Sequence, residues 1–460
     1  MEFRQFIQKL EEMGELKKIS CEINPAVELG AINRRISDEN GPALLFENVK
    51  GSNIPLVSNL LGTRKRIATY FSVDEDQLVE HYGQLSNFRN YIPQQVVSGT
   101  EAPCKEVKYF DNDVDLTKLP NPVWNEGDAG PYITFGVSRV KDPSGKISNL
   151  SVNRFQVKDK GSLGIWTDEG RDLGKILNMY WAQNKPCPIA ITIGNSPSYL
   201  LASVDKAPFG VDEIMIAGAL QKRPVLTTQC ETSDIDVPIE SEIVIEGEIP
   251  PGNFEEEGPF GEFLGYMGPK EKLPIVNVKA ITMRENPIYL GSYEGFPMVE
   301  HHVMQSMHIE NGLKLLSQFS GVQVVDVAVK PYSSGLSAVI SINKKFDSDP
   351  KQVFFTAFMI SILKDITVVD ADINVRSEAE LQWALATRFQ ADTDLTVVDG
   401  AQGLQLDPSA HGVKGHATAK KSAKLGIDAT MSKEKHYPNR IKFSNETENL
   451  MNERWKEYGL

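Results

Sequence analysis

Cysteine is scarce in this chain. Cys21, Cys104, Cys187 and Cys230 are its only four in 460 residues, they stand far apart, and no CxxC pair occurs. That excludes a zinc ribbon or a disulfide framework and points to reduced thiols. Long apolar runs are missing as well: none reaches the roughly 18 to 20 residues that a bilayer span needs. The opening stretch, Met1 to Phe6, carries Glu2 and Arg4 and lacks the apolar core of a signal peptide. The expectation is a cytoplasmic protein with no membrane association. Positive charge is also in deficit, with 48 Lys and Arg against 62 Asp and Glu and a formal net charge of -14. Nucleic acid is therefore excluded as a partner, because its phosphates need a basic footprint. An anionic substrate would have to be held by a few locally placed cations. No GxGxxG follows a strand, so no nicotinamide site is expected. Repeats and low-complexity tracts are absent too.

The 460 residues exceed one ordinary core, so two or three domains are expected. Phe3, Phe6, Ile7, Leu10 and Met13 recur at helical spacing and Gly14 stops that helix. Short apolar runs such as Ala43–Phe46 follow. From about residue 130 to 290 the runs become short and β-rich, as in Tyr132–Val137, Ile189–Ile193, Ile243–Gly247 and Ile275–Val278. Many short strands separated by turns predict a barrel or a sandwich, not a doubly wound sheet. Val299, Val303 and Met307 predict a connecting helix over 299–318. After Gly321 the order strand, strand, helix (about Lys351 to Lys364), strand fits an α/β or α+β unit. The tail after about Gln405 is polar and reads as a loop or a dimer arm.

Glu257-Gly258-Pro259-Phe260-Gly261-Glu262 carries the clearest chemistry. An offset of five puts two side chains on opposite faces of a strand and well over a right angle apart on a helix. Two glycines and a proline allow a sharp turn, so that both carboxylates can face one cavity. Neighbouring carboxylates push one pKa upward and supply an acid near neutral pH. A surface turn extending Glu255 and Glu256 accounts for the same letters, and a glycosidase could use such a pair, although only Phe260 and Tyr266 lie close by. Upstream, Asn149, Ser151 and Asn153 alternate onto one strand face, with Arg154 on the other unless a bulge intervenes. An arginine fork suits a carboxylate or phosphate, though a solvated strand arginine reads the same way.

Taken together these stretches resemble the UbiD family of prenylated-flavin (de)carboxylases, over about residues 100 to 430. The resemblance extends to Leu201-Ala202-Ser203, Asp212-Glu213 followed by Ala217-Gly218-Ala219-Leu220, Cys230-Glu231-Thr232 with Val237-Pro238, and Ser241 to Gly247. Further on it includes Trp383 to Arg388 and Gly426 to Thr430. It implies a multidomain α+β fold: an N-terminal α+β domain (1–105), a central split β-barrel flavin-binding domain (106–298), a connecting helix (299–320), and a C-terminal α/β oligomerisation domain with its tail (321–460).

The resemblance also implies the chemistry. The reaction would be a non-oxidative, reversible exchange of CO2 for a proton on an aromatic or α,β-unsaturated carboxylic acid. The cofactors would be prenylated FMN and manganese (or magnesium), with potassium as a further cation, and a flavin prenyltransferase would supply the flavin. Arg154, Glu257 and Glu262 match the catalytic set, Glu262 as proton donor or acceptor and the other two as the ion pair that positions it. Ser151, Val152, Asn153, Arg154, Arg171, Ser203 and Lys424 match flavin contacts. Asn149 and Glu213 match metal ligands. The family's third ligand is a histidine in an Arg-His-Ile-Gly-like run, but here the run is Arg171-Asp172-Leu173-Gly174, which makes Asp172 the candidate, with Asp168 and Glu169 as alternatives. His302 is a candidate substrate neighbour, and His411 and His416 are further candidates for a proton donor. A homodimer or homohexamer is expected. The alternatives are a carboxylase subunit of a larger complex, a split-barrel flavin oxidoreductase, and a non-catalytic assembly subunit.

Overall fold

The computed structural model describes residues 1–99, 102–296, 298–413 and 420–459. His416 lies outside the described residues. The β-rich region closes into the barrel that its short, turn-bounded runs suggest. Around the ring, Ile243–Ile249 pairs with Cys187–Ile193, then follow Tyr132–Lys141, Ser148–Val157, Ser162–Ile165 and Glu271–Met283, and this last strand pairs back to Ile243–Ile249. Glu271–Met283 is 13 residues long and closes the ring because its two ends serve different neighbours. Residues 275–277 meet Ser162–Gly164, while 277–283 meet Ile243–Glu248. Val107–Phe110 and Phe254–Glu257 add to its free edges. Strands such as Cys187–Ile193 and Ile243–Ile249 are buried on both faces, which is why they read as continuous apolar runs and not as alternations.

The N-terminal helices Phe3–Glu12 and Glu28–Asp38 pack against a four-stranded sheet in the order Leu16–Ile19, Ala43–Phe46, Leu56–Ser58, Tyr289–Leu290. Phe3, Phe6, Ile7 and Leu10 bury the stripe that their spacing predicts. The fourth strand arrives from beyond the barrel, and the same apolar core runs continuously from this sheet into the barrel.

The helix Glu300–Ser317 leads to a C-terminal sheet in the order Val324–Val329, Ser337–Ile342, Asp365–Asp370, Lys420–Ala429, Leu395–Gly403. The helix Asp349–Ala357 covers one face through Val353 and Phe354, and Glu378–Arg388 covers the other through Leu381 and Ala384. Two expectations need correction here. The first of these helices stops at Ala357 instead of running to Lys364: the chain passes into tight turns (Met359 N–H to Thr356 O, Ile360 N–H to Ala357 O), after which the carbonyls of Ser361 and Leu363 accept hydrogen bonds from the buried Lys424 ammonium. The polar tail is also not all loop: Lys420–Ala429 is a ten-residue strand paired in parallel with Asp365–Asp370. Among the described residues no helix is long and apolar enough to cross a membrane.

Candidate active site

The strand Ser148–Val157 carries most of the candidates. Ile133 pairs with Phe155 and Gly136 with Asn153, so Thr134 and Phe135 together stand opposite Arg154. Such a bulge, two residues against one, re-aims a side chain locally. The Arg154 guanidinium grips Glu257 with both arms, Nε to Oε1 at 3.2 Å and Nη2 to Oε2 at 2.9 Å. Its third nitrogen, Nη1, donates to Glu262 Oε1. Glu257 ends the strand Phe254–Glu257 fully buried, and Glu262 is 8% exposed. Buried carboxylates of this kind are tolerable because a cation and directed hydrogen bonds accompany them. The five-residue offset is bridged by a turn at Gly258, whose φ is +84°. One guanidinium thus holds two carboxylates, which leaves the trio one negative charge in excess.

Aromatic rings wall this trio. Arg154 stands 5.1 Å from the Phe260 centroid and 5.7 Å from that of Trp166, and Tyr132 packs on Phe260 at 4.5 Å. Burial, with the Glu257 carboxylate nearby, pushes the Tyr132 phenol upward. Arg171 stands 5.7 Å from the same Trp166 ring, so the indole links the catalytic candidate to the flavin-contact candidate. No sequence pattern singles out Trp166.

The next group along the strand is a polar ladder. Asn149 Nδ2 donates to Ser151 Oγ (3.1 Å), and both Ser151 (3.0 Å) and Ser138 (2.5 Å) donate to Asn153 Oδ1. The alternation Asn149, Ser151, Asn153 thus forms one connected row. Val152, from the other parity, packs against the apolar core. Glu213 meets the same strand at its backbone, its Oε2 accepting the Leu150 N–H at 2.9 Å. It is the N-cap of the helix Ile214–Gln221, and burial pushes its carboxyl up to about 8. Glu213 is thus held at the residue next to Asn149 on the strand. Asp172 begins the helix Asp172–Trp181 and is engaged by Lys175 at 2.8 Å. Among the described residues, no group of three or more His, Cys, Asp or Glu is gathered for a metal. Glu213 is a buried carboxylate that meets the backbone at Leu150, next in the chain to Asn149, and side-chain oxygens of these two types are what a hard divalent cation takes.

Lys206 was not foreseen. It is exposed at the surface and stands within electrostatic reach of Arg171, Asp205, Asp172 and Glu213. Ser203 ends the helix Pro197–Ser203, its hydroxyl donating to Leu200 O at 2.7 Å. Lys424 does not join this group, since its ammonium is buried in the C-terminal unit on Ser361 and Leu363.

The loop after Glu262 meets the connecting helix. Phe263 stacks on His301 (4.9 Å, 7°), and His301 Nδ1 lies 3.7 Å from Glu294 Oε2. His302 is buried more deeply, its ring 5.8 Å from Phe263 and its Nδ1 accepting the Val299 N–H at 3.0 Å. Burial lowers both imidazoles, to about 3 for His301, where His302, Lys206 and Arg171 add to the effect, and to about 4 for His302. Burial and Glu300 raise Glu294 to about 8. Both adjacent histidines meet Phe263, His301 by stacking and His302 with a tilted ring, and His301 also approaches Glu294. His411 is exposed on the short strand His411–Gly412 of the C-terminal sheet, away from this group.

Comparison with known proteins agrees along the whole chain. Residues 7–86, 95–297 and 302–429 match, in turn, the N-terminal, Rift-related and C-terminal domain models of 3-octaprenyl-4-hydroxybenzoate carboxy-lyase, the UbiD family. The UbiD-class enzyme HmfF of Pelotomaculum thermopropionicum, solved with FMN, is 36% identical at a TM-score of 0.88, covering 97% of this chain and 98% of that one. A second HmfF structure contains prenylated FMN. Vanillic acid decarboxylase of Sedimentibacter hydroxybenzoicus, in its closed form, is 29% identical at 0.83, covering 99% and 98%. The 3,4-dihydroxybenzoic acid decarboxylase of Klebsiella pneumoniae is 26% identical at 0.89, covering 98% and 99%. A protein of Archaeoglobus fulgidus is 30% identical over 99% of this chain and 98% of its own length.

Proposed function

Because the chain belongs to the UbiD family of carboxy-lyases, we propose that it catalyses the reversible, non-oxidative decarboxylation of an aromatic or α,β-unsaturated carboxylic acid, with Glu262 as the proton carrier. The observation that carries this reading is the single guanidinium of Arg154 holding both Glu257 and Glu262. Prenylated FMN, when bound, supplies an electron sink for the bond to CO2. Ser151, Asn153, Arg171, Ser203 and the unforeseen Lys206 would hold it. Manganese or magnesium would be held by Asn149 and Glu213, with Asp172 as the candidate third ligand, and would supply positive charge for an anionic cofactor.

The work of the protein's own groups follows from their placement. Arg154 and Glu257 form a rigid, buried ion pair, and the remaining arm of that guanidinium fixes where Glu262 points. The carbon that loses CO2 must gain a proton, and the walls of Phe260, Trp166 and Tyr132 keep bulk water from delivering it freely. Glu262 gives the proton in the decarboxylating direction and removes it in the other. The excess negative charge of the trio is neutralised when this one carboxyl is protonated. The Phe263–His301 stack supplies a flat wall for an unsaturated acid, and the neutral His301 imidazole beside Glu294 supplies a hydrogen-bonding edge. The solved relatives named for vanillic and 3,4-dihydroxybenzoic acid make phenolic acids the first substrates to try.

The deciding experiment is Glu262→Gln, co-expressed with a flavin prenyltransferase and assayed on a panel of aromatic and α,β-unsaturated acids. General acid–base catalysis is worth about 10² to 10⁴-fold. Turnover should fall by that factor with flavin content unchanged, and exchange of the substrate carbon's proton with D2O should fall in parallel. An undiminished rate in flavin-loaded protein would sink the assignment.

A further inference from the structure

We infer that Asp128 is the positioning residue that sets the acid loop in register, an inference that rests on the role proposed for Glu262. The turn Trp124–Ala129 precedes the first long barrel strand and lies against residues 258–262. Asp128 Oδ2 accepts the N–H groups of Trp124 (3.1 Å) and Asn125 (2.9 Å), which ties its own turn. Its other oxygen, Oδ1, accepts the N–H of Gly261 at 2.8 Å, the residue next to Glu262. A second bond runs alongside, from Ala129 N–H to Pro259 O at 2.8 Å. The two segments touch so closely that a Cβ on Gly261 would come within 2.3 Å of Asn125 Nδ2.

Beyond Gly261 the loop is closed mainly on itself. Glu262 N–H donates to Tyr266 O at 2.9 Å, and Gly265 N–H donates to Glu262 O at 2.8 Å. That local closure shapes the loop but does not locate it relative to Arg154. Location comes from Asp128 and Ala129 on the near side and from Phe263 on His301 on the far side. The same turn also reaches the substrate-facing wall, where Asn125 Nδ2 donates to Glu294 O at 3.3 Å. A carboxylate suits this task because one side chain can accept from both segments at once. Burial raises the Asp128 carboxyl above its usual range, against which the N–H groups of Asn125, Gly261 and Trp124 and then the Arg154 guanidinium favour its ionised form. Tyr132, Tyr293 and, through Arg154, the two glutamates are the other titratable groups near it.

A displacement of about 1 Å in a reacting group can cost about 10²-fold in rate. Asp128→Ala holoenzyme, assayed on the panel acid turned over fastest, should lose about that factor in kcat with KM and flavin content unchanged. Its pH profile for proton exchange with D2O should shift, because Glu262 no longer meets Arg154 in the same way. Asp128→Asn keeps one acceptor oxygen for Gly261 but offers an NH2 where two N–H groups converge, so it should fall by about tenfold with a shift in the same sense. An Asp128→Ala enzyme with wild-type kcat and pH profile, beside an inactive Glu262→Gln, overturns the positioning role and leaves the acid standing. A fully active Glu262→Gln overturns the acid assignment whatever Asp128 does. Should Asp128→Ala fail to fold, the asparagine variant decides alone, and an unchanged profile and kcat there overturn the inference.

Discussion

Glu294 and His301 face each other at 3.7 Å with their titrations displaced in opposite senses. Glu294 titrates near 8 when folded and near its ordinary 4.5 when unfolded, so the folded state holds the extra proton and stability is lost as pH rises between those values. His301 titrates near 3 when folded against an ordinary 6.5, so stability is present above 6.5 and lost as pH falls towards 3. Glu294→Gln should therefore flatten the alkaline fall of the thermal midpoint, and His301→Gln the acid fall. Melting curves from pH 4 to 9 check both, and a Glu294→Gln curve as steep as wild type above pH 6 would contradict the assignment. At the proposed cation site, Glu213→Gln should weaken metal and flavin retention together, measured by metal content and flavin absorbance after desalting with chelator. Asp172→Ala reports separately on the third ligand, and unchanged metal content there would place that ligand elsewhere. Residue types and spacing made Arg154, Glu257 and Glu262 legible as a group. Trp166, Lys206, Asp128 and Glu294 were not, because each acts through a contact that only the folded chain creates.

Elements were legible where burial imposes a period. The amphipathic first helix and the doubly buried barrel strands announced themselves through Phe3, Phe6 and Leu10 and through the run Ile189–Ile193. Lys420–Ala429 did not, because its inward residues are Ser422, Lys424, Gly426 and Ala429, small or charged, and the buried Lys424 is stabilised by carbonyls far away in sequence. The connecting helix carries a second feature with no sequence signal. Glu310 is 2% exposed and accepts Arg64 Nη1 at 3.0 Å from the N-terminal unit, together with Arg376 Nη2 at 3.4 Å and Val329 N–H at 3.0 Å from the C-terminal unit. Removing one partner from a buried ionic cluster typically costs about 3 to 5 kcal/mol. Glu310→Ala should lower the thermal midpoint accordingly. Its small-angle scattering should broaden as well, because the same carboxylate ties the two units to one helix. A midpoint within error of wild type would remove Glu310 from that role.

Exposed large apolar residues are spread over the molecule, from Phe88 and Tyr266 to a group on the C-terminal unit. Phe319 (84%), Met359 (70%) and Phe355 (59%) sit on the C-terminal unit around the end of the connecting helix and the helix Asp349–Ala357. Exposed aromatics of that size on a single unit mark an interaction surface. Light scattering at micromolar concentration should give at least a dimer, and Phe319→Glu with Phe355→Glu should shift the mass towards a monomer. A monomer mass for the wild-type chain would end the expectation of a homodimer or homohexamer.

The strand Tyr289–Leu290, which completes the N-terminal sheet, has a consequence for biosynthesis. Leu56–Ser58, its partner, leaves the ribosome some 230 residues earlier. At about 5 to 20 residues per second, the N-terminal sheet waits roughly 10 to 50 s with an unpaired edge of Leu56 and Val57. Such edges invite wrong pairing, so a nascent chain in that interval is a natural client for a holding chaperone. The fragment 1–105 made alone should stay aggregation-prone, and adding a synthetic peptide spanning 285–292 should improve its soluble yield.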